Sequence, residues 1–274
     1  MVTIATVNVN GIRAAYRKGM AEWLASSGAD IVTLQEVRAE RADVDALVDE
    51  GWHIATDEAS QKGRAGVAVL SRIPFDSVST DLGPKSLDTA GRWLEAVVST
   101  AGGQAITVVS AYVHSGEAGT EKQDAKYAFL KVMDKRMREL GQAGHSVVTG
   151  DLNIGHRTLD IKNWKGNVKN AGFLPEERAY LDKWLGHEDS PDYNTGVGDR
   201  FVDVGRKASG EVDGPYSWWS YRGRAFDTDT GWRIDYQLAT PDIAHTLTDY
   251  RIDRAASYDT RWSDHAPVVA TYAL

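Results

Sequence analysis

Three acids stand where a chain rarely places them. Glu36 follows the apolar run Ile31-Val32-Thr33-Leu34, Asp151 follows Ser146-Val147-Val148-Thr149, and Asp235 lies inside Trp232–Ala239. Asp264-His265 precedes the last apolar run, Pro267–Tyr272. Asn8 and Asn10 mark the end of the first run, and Asn153 follows Asp151. Burying so many polar groups costs several kcal/mol unless something pairs with them. One Glu, three Asp, several Asn and one His make an oxygen-rich set. Such a set suits a hard cation, Mg²⁺ or Mn²⁺, and suits zinc poorly. A hard cation beside an Asp-His pair supplies a Lewis acid, an activated water and a route for its proton. Phosphoester hydrolysis needs all three.

Each residue taken singly has a plainer use. Glu36 could pair with Arg13 or Arg38. Asp151-Leu152-Asn153 could be an Asx turn or a helix N-cap, and Asp264-His265 could cap a bulge. His114 and His156 read as solvated loop residues. The set as a whole favours a site, because α/β folds build their sites on loops at the carboxyl ends of strands.

The elements that must position this set alternate along the chain. Residues 2–8, 31–34, Val67–Leu70, Trp93–Val98, Ile106–Val113, Ser146–Thr149, Tyr216–Tyr221, Trp232–Ala239 and Pro267–Tyr272 read as strands. Ala101-Gly102-Gly103-Gln104 turns a hairpin. Residues 19–27 and 121–140 have helical spacing, with Gly28 as a stop signal, and Pro175–Leu185 opens on a helix-starting proline. Early βαβ units with later hairpins predict an α/β fold of mixed sheets covered by helices. No linker divides the 274 residues, so one domain over 1–274 is expected. Two strands each ending in a carboxylate hint at an internal duplication.

Composition narrows the function. With 42% hydrophobic and 26% charged residues, the chain is not disordered or fibrous. Without cysteine it has no disulfide, cysteine nucleophile, zinc-thiolate site or iron-sulfur cluster. No run reaches the roughly 20 apolar residues of a membrane helix. The opening Met1–Val7 reads as a strand rather than a secretion signal, so the expected address is cytoplasmic. A net charge of −8 argues against a simple DNA-coating protein, although a local basic face and bound cations can invert the field. Residues His156–Asn170 are such a face, with Arg157, Lys162, Lys165 and Lys169 against Asp160.

The chain resembles the exonuclease III family of class II apurinic/apyrimidinic (AP) endonucleases, within the endonuclease/exonuclease/phosphatase superfamily. The resemblance runs nearly end to end. It rests on Asn8-Val9-Asn10-Gly11-Ile12-Arg13-Ala14, Ile31–Glu36, Gly66–Ser71 and Gly150-Asp151-Leu152-Asn153. It continues through Lys165–Phe173, Tyr216–Tyr221, Gly231–Tyr236 and Ser263-Asp264-His265. The acid motifs are common to the superfamily, whereas Lys165–Phe173 and the two Trp-containing blocks belong to its DNA-repair branch.

The resemblance implies a four-layer α/β sandwich, two mixed β-sheets face to face and flanked by helices. It implies Mg²⁺ on Glu36, with Asn10 beside it and Asp264 as a ligand of a second site, and Mn²⁺ as a substitute. Asp151 and Asn153 would position and deprotonate the attacking water. His265, oriented by Asp235, and Tyr112 would contact the scissile phosphate, and Asn8 would organise the acids. Trp218, Trp232 and Ile234 match a pocket whose flat walls accept a sugar lacking its base. Arg13, Lys18, Asn163, Lys165, Asn167 and Asn170 match DNA-backbone contacts, which fix register without reading sequence.

The chain departs from the family at Trp164, where proline is common, and at Arg64, where an aromatic is common, so that Arg64 is the DNA contact expected to enter the minor groove there. It also departs at Ser115, where an amide is usual, and at Glu117, in a divergent loop His114–Thr120.

The expected activity is Mg²⁺-dependent cleavage of DNA 5′ to abasic sites with 3′-end trimming, in base excision repair. The partner is double-stranded DNA with abasic sites or 3′ ends, met by a monomer that needs no membrane. Two alternatives share the fold. One is a phosphodiesterase for another substrate: nonspecific DNA, RNA, or a lipid or inositol phosphoester. The other is a non-catalytic DNA-binding module, which predicts decay of the acid set.

Overall fold

Successive side chains of a strand face opposite ways, and the central strands here bury both faces. The computed structural model describes residues 1–84 and 86–274. Its strands are β1 (Val2–Asn8), β2 (Ile31–Gln35), β3 (His53–Asp57), β4 (Val67–Ser71), β5 (Phe75–Ser79) and β6 (Trp93–Ser99). They continue with β7 (Ala105–Tyr112), β8 (Ser146–Asp151), β9 (Val202–Asp203), β10 (Asp235–Ala239), β11 (Leu247–Ile252) and β12 (Val268–Tyr272). They form two six-stranded sheets, ordered β11-β12-β1-β2-β4-β3 and β5-β6-β7-β8-β10-β9.

Three cores separate four layers. Ile4, Ile31, Val69, Leu94, Val108 and Val147 meet between the sheets. Their neighbours along the strands face outward. Ala5, Val32 and Leu70 pack with Ile12, Met20 and Leu24 of the helical segment after β1. Val109 and Val148 pack on Phe129, Leu130 and Met133 of helix Glu121–Ala143 and on Leu181 of helix Pro175–Leu185. This is the expected four-layer α/β sandwich.

The duplication hinted at in the sequence is present in the sheets. In one sheet β1 and β2 are parallel, β12 and β4 flank them antiparallel, and β3 and β11 form the edges. In the other, parallel β7 and β8 are flanked antiparallel by β6 and β10, with β5 and β9 at the edges. Glu36 and Asp151 stand at equivalent ends, after β2 and on the last residue of β8.

The inter-sheet layer changes character toward that end. Thr33 and Thr149 hydroxyls meet at 2.6 Å. Gln35 Nε2 donates to Ser110 Oγ at 3.0 Å, and that hydroxyl donates to the Leu34 carbonyl at 2.9 Å. A partnered polar layer thus joins the apolar core to the site at little desolvation cost. Gly150 permits the close approach of β7 and β8. A Cβ there would lie 2.0 Å from the Ala111 carbonyl oxygen.

Several boundaries differ from expectation. Residues 19–27 form the end of a longer helical segment: Ile12–Ala15, a five-residue π-turn Tyr16–Met20 that kinks at Gly19 (φ 115°), then Ala21–Ser26. Tyr216–Tyr221 is not a strand. Only Trp218 makes bridges there, to Trp232 and His265. The strand expected from Trp232 begins at Asp235. These residues curl over the site instead of extending the sheet.

Candidate active site

Asn8 lies at the centre of the site. Its Nδ2 donates to Glu36 Oε1 at 3.0 Å and to Asp151 Oδ2 at 2.8 Å, so one amide bridges carboxylates from the two sheets. Its Oδ1 accepts the Asn10 backbone N–H at 2.9 Å, and Ser263 Oγ donates to its carbonyl at 2.7 Å. Asn8 is buried, and every polar group it carries near the site is engaged.

Around Glu36, Tyr112 OH donates to Oε1 at 2.7 Å, and the Arg38 guanidinium pairs with Oε2. The Arg38 pairing weighed from sequence is therefore present, whereas Arg13 pairs with Asp43 at 2.9 Å. Asn10 Nδ2 donates to Asp264 Oδ1 at 2.8 Å, and Trp218 Nε1 donates to Asp264 Oδ2 at 3.1 Å. Asn10, Glu36 and Asn153 all adopt left-handed backbone, with φ of 47°, 49° and 50°. This conformation is uncommon outside glycine, especially for Glu, and gathers at functional sites. Here it turns the side chains back over the sheet ends.

On the other side, His265 Nδ1 lies 2.9 Å from Asp235 Oδ2, and His265 Nε2 lies 3.8 Å from Asp151 Oδ2. Ser217 Oγ donates to Asp235 Oδ2 at 2.6 Å. Asn153 both shapes and supports Asp151. Its N–H donates to Oδ1 at 2.9 Å and its Nδ2 to Oδ2 at 3.2 Å. The Asx turn considered from sequence thus exists and serves the site.

Burial fixes the proton chemistry. Desolvation raises the Asp151 carboxyl to about 7, against the opposing pull of His265. Burial alone would lower His265, but the Asp235 and Asp151 carboxylates overcome it and raise the imidazole to about 10. Burial and the Glu36 charge raise the Tyr112 phenol, keeping it a donor. Asp151 and His265 titrate as a pair. Within the pair, the carboxylates favour the protonated imidazole while burial pushes the Asp151 carboxyl up toward neutrality.

Ligand-type atoms of Asp151, Asp235 and His265 lie within 4.8 Å of one another. That cluster could hold a cation, but its imidazole is already committed to Asp235. The oxygen donors of Glu36, Asn10 and Asp264 fit a hard cation better, and the Glu36 carboxylate already attracts a cationic partner in Arg38.

Trp218 and Trp232 stand edge to face, ring centres 5.8 Å apart, with Trp218 6.4 Å from His265. Both are half-buried. Ile234 is only 4% exposed and offers little open surface. Gly172 fits against this wall, since a Cβ would lie 2.7 Å from the Trp232 ring. The asparagines assigned to DNA contact bond to one another along one exposed segment. Asn167 Nδ2 donates to the Asn163 carbonyl at 2.9 Å, and Asn170 Nδ2 donates to Asn167 Oδ1 at 3.0 Å. Lys165 lies over Trp164 at 5.6 Å. Arg13 and Arg64 line one cavity. Lys18 is exposed on the π-turn, and no contact ties it to the site.

Two sequence readings need correction. The basic face at His156–Asn170 is half neutralised: Arg157 pairs with Glu188 and Glu211 at 2.9 and 2.7 Å, and Lys162 with Asp213 at 3.2 Å. His156 is buried, its Nε2 2.8 Å from Asp182, and His114 is half-buried against Phe129. The partners lie far along the chain, so spacing gave no sign of them.

Sequence reasoning also missed a buried ion pair. Lys126 and Glu177 meet at 2.7 Å with no exposed side-chain surface. The Lys126 ammonium also donates to the carbonyls of Asn153 at 2.9 Å and Ser115 at 3.3 Å. Glu177 accepts the N–H groups of Gly172 and Leu174 at 2.6 and 3.0 Å. One pair therefore ties the Asp151–Asn153 turn to the 114–120 loop and to the 163–173 segment.

Known proteins share this fold and much of this sequence. The chain is 34% identical to an exodeoxyribonuclease of Bacillus subtilis (strain 168) over 262 residues, 95% of each chain. It is similar to an AP endonuclease from Archaeoglobus fulgidus, with TM-score 0.81 and 28% identity over the whole of both chains. A Neisseria 3′ phosphatase, NExo, bound to product DNA hairpin gives TM-score 0.83 and 26% identity, again over the whole of both chains. The sequence model of the endonuclease/exonuclease/phosphatase family matches residues 5–265, and the chain belongs to that family as a nuclease of its exonuclease III and AP-endonuclease branch.

Proposed function

We propose that this DNA-repair nuclease hydrolyses the phosphodiester on the 5′ side of an abasic site in double-stranded DNA, and that it also trims 3′ ends. The reading includes Mg²⁺ as cation, replaceable by Mn²⁺, a role in base excision repair, and a monomer whose single domain over 1–274 does the work. The observation that carries it is the pairing of two devices across Asn8. One is the poised Asp151 carboxyl facing a protonated His265 across 3.8 Å. The other is the Glu36 carboxylate held at the opposite sheet end. The apolar Trp218–Trp232 wall beside them suits a sugar without its base.

In this reading Asp151 and Asn153 hold a water. The water oxygen bonds to phosphorus, its proton passes to Asp151, and the bond to the 3′ oxygen breaks, that oxygen leaving with the electron pair and taking a proton from solvent. The products are a 3′-hydroxyl and a 5′-phosphate. His265 Nε2–H and Tyr112 donate to phosphate oxygens, where charge grows in the transition state. Glu36, with Asn10 and Asp264, would hold the hard cation, which would supply Lewis-acid charge to the reaction.

The test uses two duplexes with Mg²⁺, one with a central abasic site and one intact with a recessed 3′ end. The abasic strand should be cut once, 5′ to the lesion, and the recessed end shortened. EDTA should stop both reactions and Mg²⁺ or Mn²⁺ restore them. Full turnover in EDTA, or equal cutting of undamaged duplex at internal positions, contradicts the reading.

A further inference from the structure

Of the nine tryptophans, Trp23, Trp52, Trp93, Trp184, Trp219 and Trp262 pack into apolar cores. Trp218 and Trp232 form the wall beside the site. Trp164 does neither. It is half-buried at the start of the short helix Trp164–Asn167 and belongs to no apolar cluster among the described residues. Its indole N–H finds no carboxylate among them, whereas those of Trp184 and Trp219 donate to Asp134 and Asp229 at 2.9 and 3.0 Å. Local structure does not call for a large ring here. The first position of a helix accepts proline readily, and proline is common there in the family. Trp164 instead lines an open hollow of about 510 Å³ with Lys162, Asn163, Lys165 and Gly166. The Lys165 ammonium lies 5.6 Å from its ring. Lys165 and Lys169 are exposed, and no carboxylate pairs with either among the described residues. The hollow therefore joins an aromatic surface to unmatched positive charge, the combination that holds a nucleic-acid strand.

This hollow is continuous with the site. Trp218 bridges both His265 and Trp232, and Trp232 in turn bridges Ile161. Lys162 N–H donates to the Gly231 carbonyl at 3.1 Å, and Trp164 N–H to the Ile161 carbonyl at 3.2 Å. The series His265, Trp218, Trp232, Ile161, Trp164 thus leads outward from the reacting groups. We propose that Trp164 is a specificity-determining contact for the strand on the 3′ side of the lesion. Its ring packs against the sugar and base edge of a downstream nucleotide, with Lys165 and Lys169 beside the flanking phosphates. The inference rests on the function proposed above. With the scissile phosphate at His265 and the abasic sugar on the tryptophan wall, the strand continues past Trp232 toward Trp164. Only an internal lesion has such a continuation, because a 3′ end that is being trimmed stops at the wall. Trp164 therefore favours internal abasic cleavage over trimming.

A series of abasic duplexes tests it. Their abasic strands carry one, two, three, four or eight nucleotides 3′ of the lesion, against one constant complementary strand. Each is cleaved by wild type, Trp164→Ala and Trp164→Phe under single turnover at subsaturating enzyme, and a recessed 3′ end reports trimming. The wild-type rate should step up as the flank reaches Trp164. In Trp164→Ala that step should shrink by about tenfold or more, the scale of a lost aromatic contact with a nucleotide. Trp164→Phe should keep most of the step, since a flat ring remains. With the one-nucleotide flank and in trimming, the three proteins should agree within about twofold, because the contact is absent from both substrates. If Trp164→Ala does not fold, Trp164→Pro carries the same comparison at a position where proline fits the helix start. The same dependence on flank length in wild type and variant overturns the contact. So does a loss of trimming in proportion to abasic cleavage, which would make the ring a support of the whole site. A wild type inactive on the abasic duplex with the longest flank instead overturns the proposed function, and the contact with it.

Discussion

Glu36 and Asp151 share one proton donor: the Asn8 amide nitrogen lies 3.0 Å from the first and 2.8 Å from the second. The two acids belong to different sheets, at equivalent positions of two similar strand arrangements. The site is therefore a seam, and Asn8 sets the spacing across it.

Asn8→Ala should uncouple the two sides. Its amide is among the groups that hold Asp151 down against desolvation. A base works only once deprotonated, so wild-type kcat/KM should rise with pH through about 7 and level off above it. Without Asn8 the limb should move to higher pH and the plateau should fall by about two orders of magnitude. A pH profile of single-turnover cleavage reads both effects. An unmoved limb would remove Asn8 from the control of Asp151.

Lys126→Met should be among the most damaging substitutions away from the reacting groups. It leaves the Glu177 carboxylate buried and unpaired, at a cost of about 3–5 kcal/mol. It also frees the Asn153 and Ser115 carbonyls. Denaturant melts give the stability loss. The double variant Lys126→Met/Glu177→Gln should recover part of that stability but not the activity, because the 114–120 loop stays untied.

Salt dependence of DNA binding should separate the paired from the unpaired cations of the 157–169 segment. Each phosphate contact contributes a slope of about 0.9 in log K against log salt. Lys165→Gln should reduce the slope by about that amount, and Arg157→Gln, whose charge is already matched by Glu188 and Glu211, should leave it nearly unchanged. The reverse order would contradict the assignment.

Trp232→Ala should alter the balance of substrates. Removing flat contact worth about 1–3 kcal/mol should slow abasic cleavage by roughly one to two orders of magnitude, with a smaller effect on 3′ trimming. A proportional loss of both rates would mean that the ring supports the whole site rather than the abasic sugar.

The parts of this account visible in the sequence are those that local pattern carries. Buried central strands such as Ile31–Gln35 and Ser146–Asp151 are apolar on both faces, and an acid at the end of such a run is conspicuous. The edge strands His53–Asp57, Phe75–Ser79 and Leu247–Ile252 are partly exposed and lack that pattern. Tyr216–Tyr221 has strand-like composition, but tertiary contacts of Trp218 with Trp232 and His265 shape it. Lys126–Glu177 and His156–Asp182 join residues 51 and 26 positions apart. Nothing in either segment marks its partner, and only the folded chain reveals which charges are matched.

The central claim is hydrolysis of the bond 5′ to the lesion by a water held at Asp151. The most direct measurement is cleavage of a natural abasic duplex in ¹⁸O-enriched water with Mg²⁺, followed by mass analysis of both fragments. The account predicts one solvent oxygen in the 5′-phosphate of the downstream fragment, an unlabelled 3′-hydroxyl upstream, and loss of the reaction by about two to four orders of magnitude in Asp151→Asn. An unsaturated sugar on the upstream 3′ end without label incorporation, or an Asp151→Asn protein that cleaves at the wild-type rate, would contradict it.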